Sequence, residues 1–192
     1  MKRVAVTAVG LMLILFLLPV LIVDGPTETT EEEALPVLPA NPTTVQTAAG
    51  EDERTIVRVA MEDGTVTEMT MADYLWSVTA AEMPASFEPE ALKAQTVTAR
   101  TYTVWKMEVG EPDHPDADVC TDINCCQAFL DREQAAATWG ASAAAYTEKI
   151  SAAVSETDGQ IITYEGQPIQ AVFFSSAAGR TEDAVAVWGN SV

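Results

Sequence analysis

A single histidine, three cysteines and only ten lysines and arginines occur in this chain of 192 residues. Each scarcity removes a class of function. With one histidine there is no His-Glu-x-x-His metalloprotease helix, and no Ser-His-Asp set can be assembled once that histidine is better accounted for elsewhere. The ten basic residues stand against 29 acidic ones, a formal net charge of −19. That balance argues against nucleic acid, whose phosphates are met by Lys and Arg, and against adhesion to anionic polymers through a basic patch. The chain carries no internal repeat and no glycine-rich loop of the kind that cradles phosphates.

What is present falls into three parts along the chain. Met1-Lys2-Arg3 precedes an uncharged run over residues 4–23, and about 20 mostly apolar residues are enough to cross a bilayer as one helix. A cleaved signal peptide is the competing reading. No clear Ala-x-Ala site lies near Asp24 and Gly25-Pro26, so residues 1–23 are read as an uncleaved anchor. Lys2 and Arg3 then put the N-terminus in the cytoplasm and the rest outside, as a single-pass protein of the cell membrane. Pro19 is compatible with a kinked spanning helix. Residues 24–54, with Glu31-Glu32-Glu33 and the closely spaced Pro36, Pro39 and Pro42, have too little apolar content to bury and read as a disordered acidic tether.

Residues 55–192 have the size of one domain with one core, and the pattern is α+β: helices packed on antiparallel β-hairpins. Ile56-Val57-Arg58-Val59-Ala60-Met61 alternates, Glu62-Asp63-Gly64 supplies a turn, and residues 65–69 return as the second strand. Between residues 131 and 156 an alanine-rich stretch carries Trp139, Tyr146, Ile150 and Val154 at helical spacing and is interrupted near Gly140, predicting one short and one longer helix. Residues 160–164 and 169–174 are expected to pair as a second hairpin.

The stretch 74–100 reads as two helices joined by a proline-marked loop. The first is expected from about Thr70 to Glu82, with Tyr74, Leu75, Val78 and Ala81 as its buried stripe. Met83 precedes Pro84 and is biased out of the helical well. The second is expected after Pro89, with Leu92, Ala99, Tyr102 and Trp105 turned to the core. Glu82 thus falls at a helix C-terminus, flanked by Ala80, Ala81, Met83 and Phe87. An unfavourable dipole and an apolar wall both favour its neutral form, the form in which a carboxylic acid can protonate a leaving oxygen. A plain solvated glutamate is the alternative.

The only histidine and all three cysteines gather in one loop, as His114, Cys120, Cys125 and Cys126. In an extracytoplasmic domain two of the thiols can join as a disulfide; imidazole and thiolates can equally hold zinc; inert thiols are the third possibility. Three protein ligands would leave a fourth position open, as in catalytic zinc sites. Further on, residues 175–181 are rich in small polar groups after an expected strand, suited to a surface turn or to presenting hydroxyls to a sugar.

The run Ala80-Ala81-Glu82-Met83-Pro84, then Glu90-Ala91-Leu92-Lys93-Ala94-Gln95 and Ala99-Arg100-Thr101-Tyr102, resembles the signature of the stage II sporulation protein D family. Phe174-Ser175-Ser176-Ala177-Ala178-Gly179-Arg180-Thr181 and Val187-Trp188-Gly189 resemble its second signature, in the same order, although the family's pattern has glycine where Ala178 stands. The resemblance implies a lytic transglycosylase that cleaves the MurNAc-GlcNAc bond of peptidoglycan strands stripped of their stem peptides, leaving 1,6-anhydro-MurNAc. It makes Glu82 the acid and then the base. It also makes Lys93, Gln95, Arg100, Ser175, Ser176 and Thr181 substrate-binding residues, with Arg100 expected on substrate or backbone rather than on Glu82. His114, Cys120 and Cys126 become ligands of a structural zinc that staples the loop beside the cleft. The partners implied are glycan strands and the amidase and membrane protein of sporulation engulfment. Members of the family extend well past Val187-Trp188-Gly189, so the domain is expected to be incomplete at its C-terminus, with a non-catalytic glycan-binding form as the alternative.

Overall fold

The structure, a computed structural model, describes residues 50–176 and 179–188. The expected anchor and nearly all of the expected tether lie outside the described residues. Among the described residues no helix is long and apolar enough to cross a membrane.

The body is α+β. Strand β1 (Ile56–Ala60) buries alternate residues, with Val57 and Val59 fully enclosed, as a pleated strand with one covered face requires. It pairs antiparallel with β2 (Val66–Thr70), from Ile56 opposite Thr70 to Ala60 opposite Val66. The turn between them is closed by Asp63, whose carboxylate accepts from the amide and hydroxyl of Thr65 at 2.9 and 2.6 Å. A third strand, β3 (Val119–Cys120), pairs with the other edge of β1 in parallel, Val59 to Val119 and Ala60 to Cys120. The expectation of antiparallel hairpins alone is therefore corrected: the sheet has the order β2-β1-β3 with one parallel pair.

Helix α2 (Met71–Glu82) starts on Thr70, whose hydroxyl accepts the Asp73 amide at 3.1 Å, an N-cap of the usual chemistry. It ends where Met83 turns extended before Pro84. Tyr74, Leu75 and Val78 are enclosed as expected, whereas Ala81 is half-buried; Met71, Trp76, Ser77, Thr79 and Ala80 are buried too. The helix is thus surrounded rather than striped, packed between α3 (Pro89–Val109), the sheet and α5 (Ala143–Glu156). Pro89 opens α3 at a position where its missing N–H costs nothing. Leu92, Ala99 and Tyr102 reach the core, while Trp105 stays half-buried. The short and long helices predicted around Gly140 are α4 (Arg132–Trp139) and α5 (Ala143–Glu156), joined by a 3₁₀ turn at Gly140–Ser142. Trp139 seals them onto α2, its ring edge-on to Trp76 at 5.8 Å and to Tyr146 at 5.7 Å.

Two boundaries differ from expectation. Glu51–Arg54 forms a short helix, α1, where tether was expected. The Asp158 carboxylate accepts the amides of Gly50, Glu51 (3.1 Å) and Asp52 (2.8 Å) at its N-terminus, and Asp52 itself is buried. The second hairpin consists only of β4 (Thr163–Tyr164) and β5 (Gln167–Pro168). Residues 169–174 do not form the expected return strand: after one further bond, from the Ile169 amide to the Ile162 carbonyl at 3.3 Å, the chain turns where the Val172 amide donates to the Gln170 carbonyl at 2.9 Å. A last helix, α6, covers Ala184–Trp188.

Candidate active site and metal centre

Glu82 is the last residue of α2 and is half-buried. The chain after it is pinned by Lys149 of α5, whose ammonium donates to the carbonyls of Ala85 (3.2 Å) and Phe87. The Glu82 carboxylate accepts the backbone N–H of Ala128 at 2.8 Å, which fixes one oxygen. Around it opens a cleft of about 480 Å³. One wall is the segment 123–128 together with Tyr102, and the other is residues 170–173. Among the described residues Glu82 is the sole carboxylate lining it, and no lysine or arginine lines it.

The wall at 123–128 is the cysteine-bearing loop, and its fold follows from one aspartate. Asp122 accepts the Asn124 amide on its side chain at 2.8 Å and the Cys125 and Cys126 amides on its carbonyl at 3.0 and 2.9 Å. This tight turn carries both cysteines back toward Cys120 at the end of β3. The ligand atoms of His114, Cys120, Cys125 and Cys126 all lie within 4.8 Å of one another. Cys125 Sγ is 3.8 Å from Cys126 Sγ, which is 3.4 Å from His114 Nε2. A tetrahedral zinc with Zn–S bonds of about 2.3 Å has S–S edges of roughly 3.8 Å, so the donors fit that ion. A disulfide needs about 2.05 Å, and all three cysteines are free thiols.

Three further features fit a cation here. His114 Nδ1 faces the Ala117 carbonyl at 3.3 Å and, since a carbonyl only accepts, carries the proton; Nε2 is left bare to ligate. Burial and the neighbouring sulfurs push the Cys125 thiol up to about 11, and burial pushes that of Cys126 higher still. Such crowded thiols become thiolates only when a cation joins them. The cluster offers one donor more than the three-ligand set: Cys125 lies with His114, Cys120 and Cys126, and an ion held by all four would have no position open for water. The adjacency of the two cysteines was the signal, but spacing alone does not say that a turn at Asp122 would direct both to one point. The Tyr102 hydroxyl donates to the Cys125 carbonyl at 3.3 Å, tying α3 to the same loop.

The other expected substrate contacts are not gathered at this cleft. Arg100 is 1% exposed and held on Asp52, with Nη2 to Oδ2 at 2.7 Å and Nε to Oδ1 at 2.9 Å; of the contacts expected for it, the backbone one is present, to the Gln160 carbonyl at 3.1 Å. A guanidinium so enclosed is not part of the cleft lining; it fastens α1 to α3. Lys93 pairs with Glu90 at 2.8 Å and Glu156 at 2.6 Å, bridging α3 to the end of α5. Gln95 is buried, its amide nitrogen without a partner among the described residues. Ser175, Ser176 and Thr181 are exposed, while the wall of the cleft extends only to Phe173. Sequence reasoning missed Ala128, Gln127, Asn124 and Phe173 as cleft residues, because a backbone donor and an irregular wall leave no mark in periodicity.

A helix-terminal carboxylate held against a Cys₃His loop defines the class of this domain, and comparison with known proteins names the family. The family model for the stage II sporulation protein, SpoIID, matches residues 61–164, and the chain belongs to that family. It is 33% identical over 201 aligned residues to the stage II sporulation protein D of Bacillus subtilis (strain 168), an alignment covering all of this chain and 58% of that protein. It is 38% identical over 128 residues to the stage II sporulation protein D of Bacillus amyloliquefaciens, covering 66% of this chain and 37% of that one. The amidase enhancer of B. subtilis is 37% identical over 111 residues, covering 58% of this chain and 13% of its own length. The chain thus spans less than two thirds of the relatives it matches.

Proposed function

We propose that this protein is a lytic transglycosylase of peptidoglycan, held at the outer face of the cell membrane by residues 1–23 and acting during sporulation. The observation that carries the reading is the lone carboxylate of the cleft. Glycosidases that use water need two carboxylates, one as acid and one as base or nucleophile. Glu82 stands without an acidic companion among the lining residues, and a transglycosylase needs only one. Its carboxyl proton passes to the glycosidic oxygen as the C1–O bond breaks. The muramoyl 6-oxygen then bonds to C1, and the proton it sheds returns to the Glu82 carboxylate. The leaving strand departs with a free hydroxyl, the other ends in the 1,6-anhydro ring, and no water is consumed.

Ala128 holds one oxygen of Glu82 by its N–H, so the reacting carboxyl has a fixed direction. The loop that carries Ala128 would be held by zinc on His114, Cys120, Cys125 and Cys126. When bound, that ion supplies a structural staple rather than a Lewis acid, since four protein donors fill a tetrahedron. The relative called amidase enhancer supports an amidase as working partner, one whose removal of stem peptides would prepare the strands. The test is to incubate the protein with amidase-treated and with untreated glycan strands and to weigh the products. Products lighter by one water than the hydrolytic ones, formed from the treated strands, are expected. Hydrolytic products, or strands bound and left intact, would sink the reading.

A further inference from the structure

Three apolar side chains that line the Glu82 cleft are open to solvent: Ile123 at 70%, Phe173 at 38% and Val172 at 37% exposed. A single exposed apolar residue is ordinary. Three along the walls of one cleft, beside an acid, form a patch that a ligand covers. The chemistry of that ligand follows from what else lines the site. Among the described residues no lysine or arginine is there, and Glu82 is the one carboxylate, so these residues do not recognise a negative group on the ligand. Asn124 and Gln127 supply amides. An uncharged sugar ring with hydroxyl and acetamido edges and C–H-lined faces suits such a mixture.

A pyranose held beside an acid must be fixed in orientation, and an aromatic face does this by meeting the polarised C–H groups of one ring face. Two aromatic residues line the cleft. Tyr102 is 8% exposed, its hydroxyl is engaged by the Cys125 carbonyl, and the Lys106 ammonium lies 5.9 Å from its ring centroid. It is built into the wall. Phe87, Tyr164 and Phe174 are exposed, but none of them lines the cleft. We infer that Phe173 is the platform on which a neutral pyranose ring of the glycan rests beside Glu82, an inference that rests on the glycan-cleaving reading above. Phe173 thereby fixes which glycosidic oxygen meets the acid, with Ile123 bordering the same site.

The test uses the whole chain carrying Glu82→Gln, which binds strands without consuming them, titrated with amidase-treated glycan strands by calorimetry. Adding Phe173→Ala is expected to raise Kd at least tenfold, and Phe173→Trp to restore it to within about threefold. Tyr164→Ala, exposed and outside the cleft, serves as the control and leaves Kd unchanged. In the chain with Glu82 intact, Phe173→Ala raises KM more than it lowers kcat. If Phe173→Ala binds within twofold of its parent, the platform is wrong while the glycan-cleaving reading stands. If the Glu82→Gln parent fails to bind strands and the unmodified chain yields no anhydro product, both fall together.

Discussion

Arg100 and Glu82 lie in one continuous motif, yet their surroundings assign them opposite tasks. Arg100 is enclosed with Asp52 in a buried pair carrying several further hydrogen bonds. Removing one partner of such a pair leaves an uncompensated buried charge, at a cost of about 3–5 kcal/mol. Arg100→Ala is therefore expected to lower Tm by on the order of 10 °C in a body of this size, visible by calorimetry without any substrate. A substrate contact would instead leave Tm alone and raise KM. Sequence reasoning placed Glu82 at a helix end because a stop before Met83-Pro84 is written locally. It did not find the burial of Arg100, because the partner, Asp52, sits 48 positions away in a stretch whose acidic composition resembles a tether.

At the scale of elements, the Cys₃His loop and the Glu82 cleft share one piece of chain. Cys125 and Cys126 close the donor set, and two residues later Ala128 holds Glu82. Stripping the metal with a chelator is expected to lower Tm and to reduce anhydro product, with zinc restoring both. In the cobalt-loaded protein, Cys125→Ser is expected to weaken the thiolate-to-cobalt absorption by about a third, matching three thiolates; an unchanged spectrum would return the site to three ligands. The first hairpin, the helix boundaries and the break at Gly140 were legible, since alternation, capping and proline act within a few residues. The parallel pairing of β3 with β1 was not, as two residues of strand carry no periodicity. Neither was the irregular wall at residues 169–174, where the chain turns between Gln170 and Val172.

For the whole molecule, the acidic excess has a consequence for stability with pH. Asp158 is held below the usual carboxylate range: burial alone would raise it, but the amides of Asp52, Glu51 and Gly50 and the nearby Arg100 outweigh that. Asp118 is likewise lowered, its burial outweighed by Arg58 at 2.7 Å. A depressed carboxylate contributes stability that is present above its unfolded value, about 3.9, and lost as pH falls through its folded value. The body is therefore expected to keep its stability down to about pH 4 and to lose it below. Asp158→Ala should cost about 1–2 kcal/mol at pH 7, as for a lost helix cap, and flatten that acid limb, as followed by circular dichroism. In the proposed reaction Glu82 is the single acid and base of a water-free cleavage. The most direct measurement is the rate of anhydro-muramoyl product from amidase-treated strands for the unmodified protein and for Glu82→Gln, with Tm and bound zinc measured on both. The account predicts a loss of at least about 10³-fold with Tm and zinc unchanged. Anhydro product formed at a comparable rate by Glu82→Gln would contradict it.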